Sequence, residues 1–189
     1  MNTKNLYAFT LGREWKISLA ELMAIFGTES YQSHTETIAI FQIVGYSSEQ
    51  LQRKFLTIGG SIRIIEVLWD SSAATFPTDV IEYIKISKPT GKIDFALGAY
   101  GVEFRLSDIG LRIKQTLKEN GTSIRLVNQL NENINAASFK KEKLSKTGYE
   151  YNLIVIGSDG YIGRTLACQD IDAYTKRDTA KSRDMVTGM

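Results

Sequence analysis

Along the first seventy residues, short apolar blocks alternate with stretches of helical spacing. Leu6-Tyr-Ala-Phe-Thr-Leu11 predicts a first strand. The polar Gly12-Arg-Glu-Trp-Lys16 reads as a loop. Ser18 and Glu21 then have the spacing of a capping box, and Leu19, Leu22, Met23 and Phe26 share one helical face up to Gly27. Residues 28–36 read as a polar loop containing His34. Thr37 to Val44 predicts a second strand, and Ser47 or Ser48 can cap a second helix carrying Leu51, Phe55 and Leu56. Gly59-Gly60 marks a sharp turn before a third strand, Ser61 to Leu68. The order is β-α-β-α-β.

A linker-like stretch, Ser71-Ser-Ala-Ala-Thr-Phe-Pro-Thr78, follows, with Pro77 suited to the first turn of a helix from Asp79 to Ile86. After a break at Lys88-Pro-Thr-Gly91, the pattern predicts a strand (Ile93 to Ala99), a helix (Leu106 to Glu119) and a strand (Ser123 to Val127). A short basic helix (Ala136 to Lys146) and a hairpin (Tyr151–Ile156, Tyr161–Ala167) complete it. Ser158-Asp159-Gly160 reads as the hairpin turn, because Asp-Gly tolerates positive φ angles. The fold class is α+β: a smaller unit at 1–70 suited to a split βαβ, ferredoxin-like layout, and a larger one at 76–168. Residues 169–189 are polar and charged, repeat Arg-Asp at 177–178 and 183–184, and read as a linker.

Composition is ordinary for a globular chain of 189 residues, with 43% hydrophobic and 23% charged residues. The net charge of +2 predicts no partner, but its distribution does. Residues 105–146 hold nine bases against four acids, whereas residues 1–88 hold eight against nine. A positive second half points to a polyanion. The single cysteine forms no internal disulfide, which predicts the cytoplasm, and no apolar run has the length of a membrane span.

Catalytic chemistry finds little support. His34 is the only histidine and sits among polar residues; Cys168 ends an apolar strand and reads as an inert thiol. One Cys and one His do not make a zinc site. Gly157-Ser-Asp-Gly160-Tyr-Ile-Gly163 lacks the spacing of a dinucleotide turn and runs into a strand rather than a helix. Neither a Walker sequence nor an Asp/Asn-Pro-Pro-Tyr methylase motif is present. No catalytic, cofactor-binding or metal residue is therefore assigned. Tyr100, Tyr149 and Tyr161 lie near turns, where an exposed ring could stack on a base.

Several local sequences together resemble a family. They are Leu11-Gly-Arg-Glu14 with Ser18-Leu-Ala-Glu-Leu22, Gly59-Gly-Ser-Ile-Arg-Ile-Ile-Glu-Val67, Gly121-Thr-Ser-Ile-Arg-Leu-Val127, Gly163-Arg-Thr-Leu-Ala-Cys-Gln-Asp170, and the tail from Tyr174 to Met189. In these the chain resembles the N-terminal half of the THUMP-containing tRNA guanosine-10 N2-methyltransferases. The resemblance implies a ferredoxin-like unit, a THUMP domain that grips tRNA, and a linker to an S-adenosylmethionine-dependent methylase lying in cis or in a partner. It implies no activity and no cofactor for this chain by itself. Arg125, Lys140, Lys141, Lys143 and Arg164 are the residues expected to contact RNA, with Arg125 and Arg164 on the less apolar side of the sheet. An acid such as Glu150 is the competing partner for Arg125. The alternative function is a ferredoxin-like regulatory or assembly module that binds a small molecule or a protein, and a basic cluster on one face is what separates the two.

Overall fold

The computed structural model describes residues 5–87, 91–128 and 131–170. Residues 88–90 of the second predicted break, and 171–189 of the predicted linker, lie outside these. The first half runs β1 (Leu6–Leu11), α1 (Trp15–Phe26), β2 (Tyr31–His34), β3 (Ile38–Gln42), α2 (Ser48–Phe55) and β4 (Ser61–Asp70). The second runs α3 (Phe76–Ser87), β5 (Ile93–Tyr100), α4 (Leu106–Glu119), β6 (Ile124–Leu126), α5 (Ala136–Lys141), β7 (Gly148–Ile156) and β8 (Asp159–Cys168). All eight strands form one mixed sheet in the order β2-β3-β1-β4-β8-β7-β5-β6. The two halves meet where β4 pairs antiparallel with β8. The parallel pairings are those of β5 with β6 and with β7.

Helices α1 to α4 cover one face. Leu19, Leu22, Leu51 and Phe55 pack on Tyr7, Phe9, Phe41 and Ile64. Val80, Ile84, Ile113 and Leu117 pack on Phe95, Leu97, Tyr151 and Leu153. On the opposite face, Ala8, Ile40, Ile65, Val67 and Ile154 form a third cluster. Phe139 and Leu144, of α5 and the turn after it, cover Ala96 beside them.

Three local expectations change. The stretch read as a polar loop contains β2, which pairs with β3. As an edge strand with both faces partly wet it needs no apolar alternation, so periodicity misses it. Helix α1 starts at Trp15, a turn before the predicted cap. Ser18 is buried inside it, donating to the Glu14 carbonyl and accepting the Gly12 N–H. Glu21 reaches away from its own helix and accepts the Gly59 and Gly60 N–H groups at 2.9 and 2.7 Å. Gly60 is a steric requirement there, since a Cβ would lie 2.8 Å from the Ser18 Cα. The capping box belongs instead to α2, where Ser47 and Gln50 each accept the other's N–H. Finally, the hairpin turns at Gly157-Ser158, because Ile156 pairs with Asp159. Gly157 supplies the positive φ of 62°. Gly160 lies inside β8, where the Ser71 carbonyl would sit 2.2 Å from a Cβ.

The asparagine-rich run after β6 completes the sheet edge. Asn128 brackets Leu97, accepting its N–H at 2.6 Å and donating to its carbonyl at 2.9 Å. Asn133 does the same for Ala99 at 2.8 and 3.0 Å. Two carboxamides thus extend the ladder of β5 past the three residues of β6 and cover an otherwise open edge.

A buried ion pair crosses the seam between the halves. Arg63 on β4 donates to Glu150 on β7 at 3.2 Å, with side chains 7% and 0% exposed. Thr165 on β8 donates to the same carboxylate oxygen, and Arg63 also donates to the Ile134 carbonyl. Burial pushes the Glu150 carboxyl above its ordinary range, and Arg63 opposes the shift. Removing one partner would leave the other buried without its counter-ion. Arg63→Ala is expected to cost about 3–5 kcal/mol in urea unfolding, and Arg63→Met/Glu150→Met to recover most of it. A loss below about 1 kcal/mol for Arg63→Ala would mean that the pair does not hold the seam.

Candidate nucleic-acid interface

Helix α5 is a short platform. Asn135 caps it, accepting the Ser138 N–H at 2.8 Å. Ala136 and Phe139 are buried, so Lys140 and Lys141 project outward. Lys143 closes the helix in a left-handed conformation, φ 53°, and the turn continues past the exposed Lys146 to Gly148. Lys140 pairs with Asp170 at 2.9 Å. Lys141, Lys143 and Lys146 are exposed and form no ion pair among the described residues.

Arg125 lies beneath this platform, on the predicted side of the sheet, but is held in ion pairs through Nε and Nη2. It donates twice to Asp94, at 2.8 Å each, and also to Glu142. Its partners are thus Asp94, on the neighbouring strand β5, and Glu142 rather than Glu150, which belongs to Arg63. Arg164 does not join them. It stands opposite Tyr151 and donates to Glu66 at 3.0 Å, on the face covered by helices α1 to α4. Of the five predicted residues, the structure brings Lys140, Lys141 and Lys143 together, places Arg125 in an ion-pair network below, and puts Arg164 across the sheet. Period-two alternation of β8 could have separated Arg164, since it falls with Ile162 and Leu166.

The basic excess of residues 105–146 also divides. Arg105 pairs with Asp108 at 3.0 Å, while Arg112 and Lys118 are exposed on α4, on the other face from α5. Two adjoining clefts flank the α5 side and share Glu132 and Asn133. One, about 330 Å³, reaches Lys141; the other, about 630 Å³, lies past the end of β5 at Phe104 and Arg105. The asparagines along them are engaged with backbone: Asn128 and Asn133 on β5, Asn135 on α5, and Asn131 on the Ser107 N–H. Asn131 and Asn135 are engaged only as acceptors, so their Nδ2 groups and the lysines are this surface's donors.

Other candidate groups have structural explanations. His34 Nδ1 meets the Tyr31 hydroxyl at 2.6 Å, and its ring lies 5.3 Å from Trp15. Among the described residues no His, Cys, Asp and Glu cluster could hold a metal ion. Cys168 is half-buried, and burial pushes its thiol well up. Tyr100, expected near a turn, is the buried last residue of β5; Tyr149 is half-buried and stacks on Tyr151. The glycine run 157–163 joins two antiparallel strands, so these residues do not fit the strand–turn–helix cradle that S-adenosylmethionine's nucleotide would need. No described helix is long and apolar enough to cross a membrane.

No family model matches the chain, and no curated protein does. The structure is similar to that of TrmN from Thermus thermophilus, with a TM-score of 0.51 and 12% identity over 87% of this chain and 46% of that one. A 4-thiouridine synthetase–RNA complex with bound ATP aligns at 0.47 and 14% identity, over 86% of this chain and 42% of that one. A possible methylase from Clostridium difficile 630 aligns at 0.47 and 10%, over 85% and 40%. The TrmN likeness shows a shared fold. The chain spans less than half the length of each of these structures.

The network under α5 has a pH signature. The Arg125 hydrogen bonds hold the Asp94 carboxyl below its ordinary range. A depressed folded-state value means that the stabilisation is present above the unfolded value, about pH 4, and is lost as pH falls through the folded one. Asp94→Asn should therefore lower stability at pH 7 and flatten its decline below about pH 4. Parallel acid unfolding curves for parent and variant would contradict this.

Proposed function

We propose that this chain is the tRNA-binding part of an S-adenosylmethionine-dependent tRNA (guanine-N2) methyltransferase. Residues 1–70 are read as the ferredoxin-like unit, 76–168 as a THUMP-like RNA-binding domain, and 169–189 as the link to a methylase in cis or in a partner chain. The strand order β4-β1-β3-β2, antiparallel with α1 and α2 on one face, supports the first part, being that of a split βαβ pair. The fold shared with TrmN from Thermus thermophilus supports this reading. The observation that carries the RNA reading is the exposed Lys141, Lys143 and Lys146 beside Lys140; Asp170 takes Lys140, and Arg125 engages Asp94 and Glu142 beneath them.

Such a surface recognises phosphates. Lysines there set affinity and position, while base identity is read elsewhere. Binding should be weak for the isolated chain, indifferent to sequence, and steeply salt-dependent as counterions are released. Lys141→Glu/Lys143→Glu should cut tRNA affinity tenfold or more in filter binding, about 1.4 kcal/mol, with the melting temperature nearly unchanged. A folded double variant that binds like the parent would move the RNA surface elsewhere, and parent affinity independent of salt would remove the reading.

A further inference from the structure

The helix-covered face holds a second cationic site, which the α5 lysines do not explain. At the seam between the halves, a cavity of about 110 Å³ is lined by Gln52 of α2, Ser145, Lys146 and Tyr149 around the start of β7, and Arg164 of β8. Two of these residues carry positive charge. Lys146 is exposed and has no ion pair among the described residues. Arg164 gives Nη2 to Glu66, but its Nε is buried and has no hydrogen-bond partner. A buried guanidinium N–H normally finds an acceptor, and here the acceptor is missing. Glu66 offsets one of the two charges, so the walls retain a net positive charge.

Leu144 and Leu166 give the cavity an apolar side, and three other lining residues suit the same ligand. Ser145 and Tyr149 carry hydroxyl groups and Gln52 a carboxamide, all able to donate to an oxyanion. Sites for drug-sized ligands run from about 300 Å³ upward, so this cavity is too small for a nucleoside and has room for a single tetrahedral anion.

We infer that this cavity is a phosphate-binding site. Its ligand is a phosphate group, either a backbone phosphodiester of RNA or a free phosphate. Lys143 and Lys146 lie in the turn between α5 and β7, so the lysine platform runs by chain continuity to the cavity wall. That continuity favours the RNA backbone as the source, and only this choice of source rests on the tRNA reading above. Arg164 thereby takes a phosphate-contacting role from the opposite face of the sheet, at a different place from the lysine platform.

The test uses the full chain and inorganic phosphate, followed through backbone amide NMR shifts of Gly148, Tyr149 and Thr165. Phosphate is expected to shift them saturably in the millimolar range, as suits one small anion. Lys146→Gln should weaken this about threefold or more, the loss of one phosphate-neutralising cation. Glu66→Gln should tighten it severalfold by removing the negative charge that offsets Arg164, and two variants with opposite effects exclude a general loss of structure. Competition by tRNA for the same shifts would support the site with RNA as its source. Phosphate binding that tRNA leaves untouched would support the site with free phosphate as its ligand and count against the tRNA reading. Absence of saturable shifts, or shifts that neither variant changes, would overturn the site even if tRNA still binds through Lys141 and Lys143.

Discussion

The pairing of β4 with β8 is the constraint from which the rest follows. Each half would leave a long strand edge open by itself. Joining the edges converts two partial sheets into one and sets their faces in register. Arg63 and Glu150 make that register specific. A slip of one residue would turn Arg63 toward the helices and leave Glu150 in the dry interior without a cation. The Arg63 bond to the Ile134 carbonyl carries the same constraint to the asparagine run and so to the base of α5.

Much of this was legible because apolar periodicity reports burial. The strands and helices that contribute to the two helix-side cores were read within a few residues, from Phe9 and Phe41 through Leu117 and Leu153. What periodicity does not report is polar structure. Strand β2 is polar and lies at the edge. Glu21 acts on glycines 38 and 39 positions away rather than on its own helix, and the asparagines after β6 act as strand surrogates. Glu21 and the asparagines depend on long-range partners, which local spacing does not encode. Asp-Gly likewise favours a hairpin turn locally, but the contact between Gly160 and Ser71 claims that glycine for close approach.

The candidate site was legible in part for the same reason. Three lysines within four positions on a half-buried helix must largely face water, and they do. Whether a cation is free, however, is a property of its neighbours in space. Arg125 lost its freedom to Asp94 and Glu142, and Lys140 shares Asp170. A count of charges along the chain therefore overstates the field at any one face, since α4 and α5 carry their bases to opposite sides.

The ion pairs that remove these cations also shape the surface that remains. By pairing with Glu142, Arg125 offsets part of the negative charge that shares a cleft with Lys141, while Glu132 stays exposed in the same cleft. Glu66 acts differently on Arg164: it fixes one nitrogen and leaves the buried Nε in need of an acceptor. One arginine thus offsets acids beneath the lysines, and the other keeps a buried donor without a partner. The difference lies in how many donors the partners satisfy, a distinction that neither net charge nor burial alone reveals.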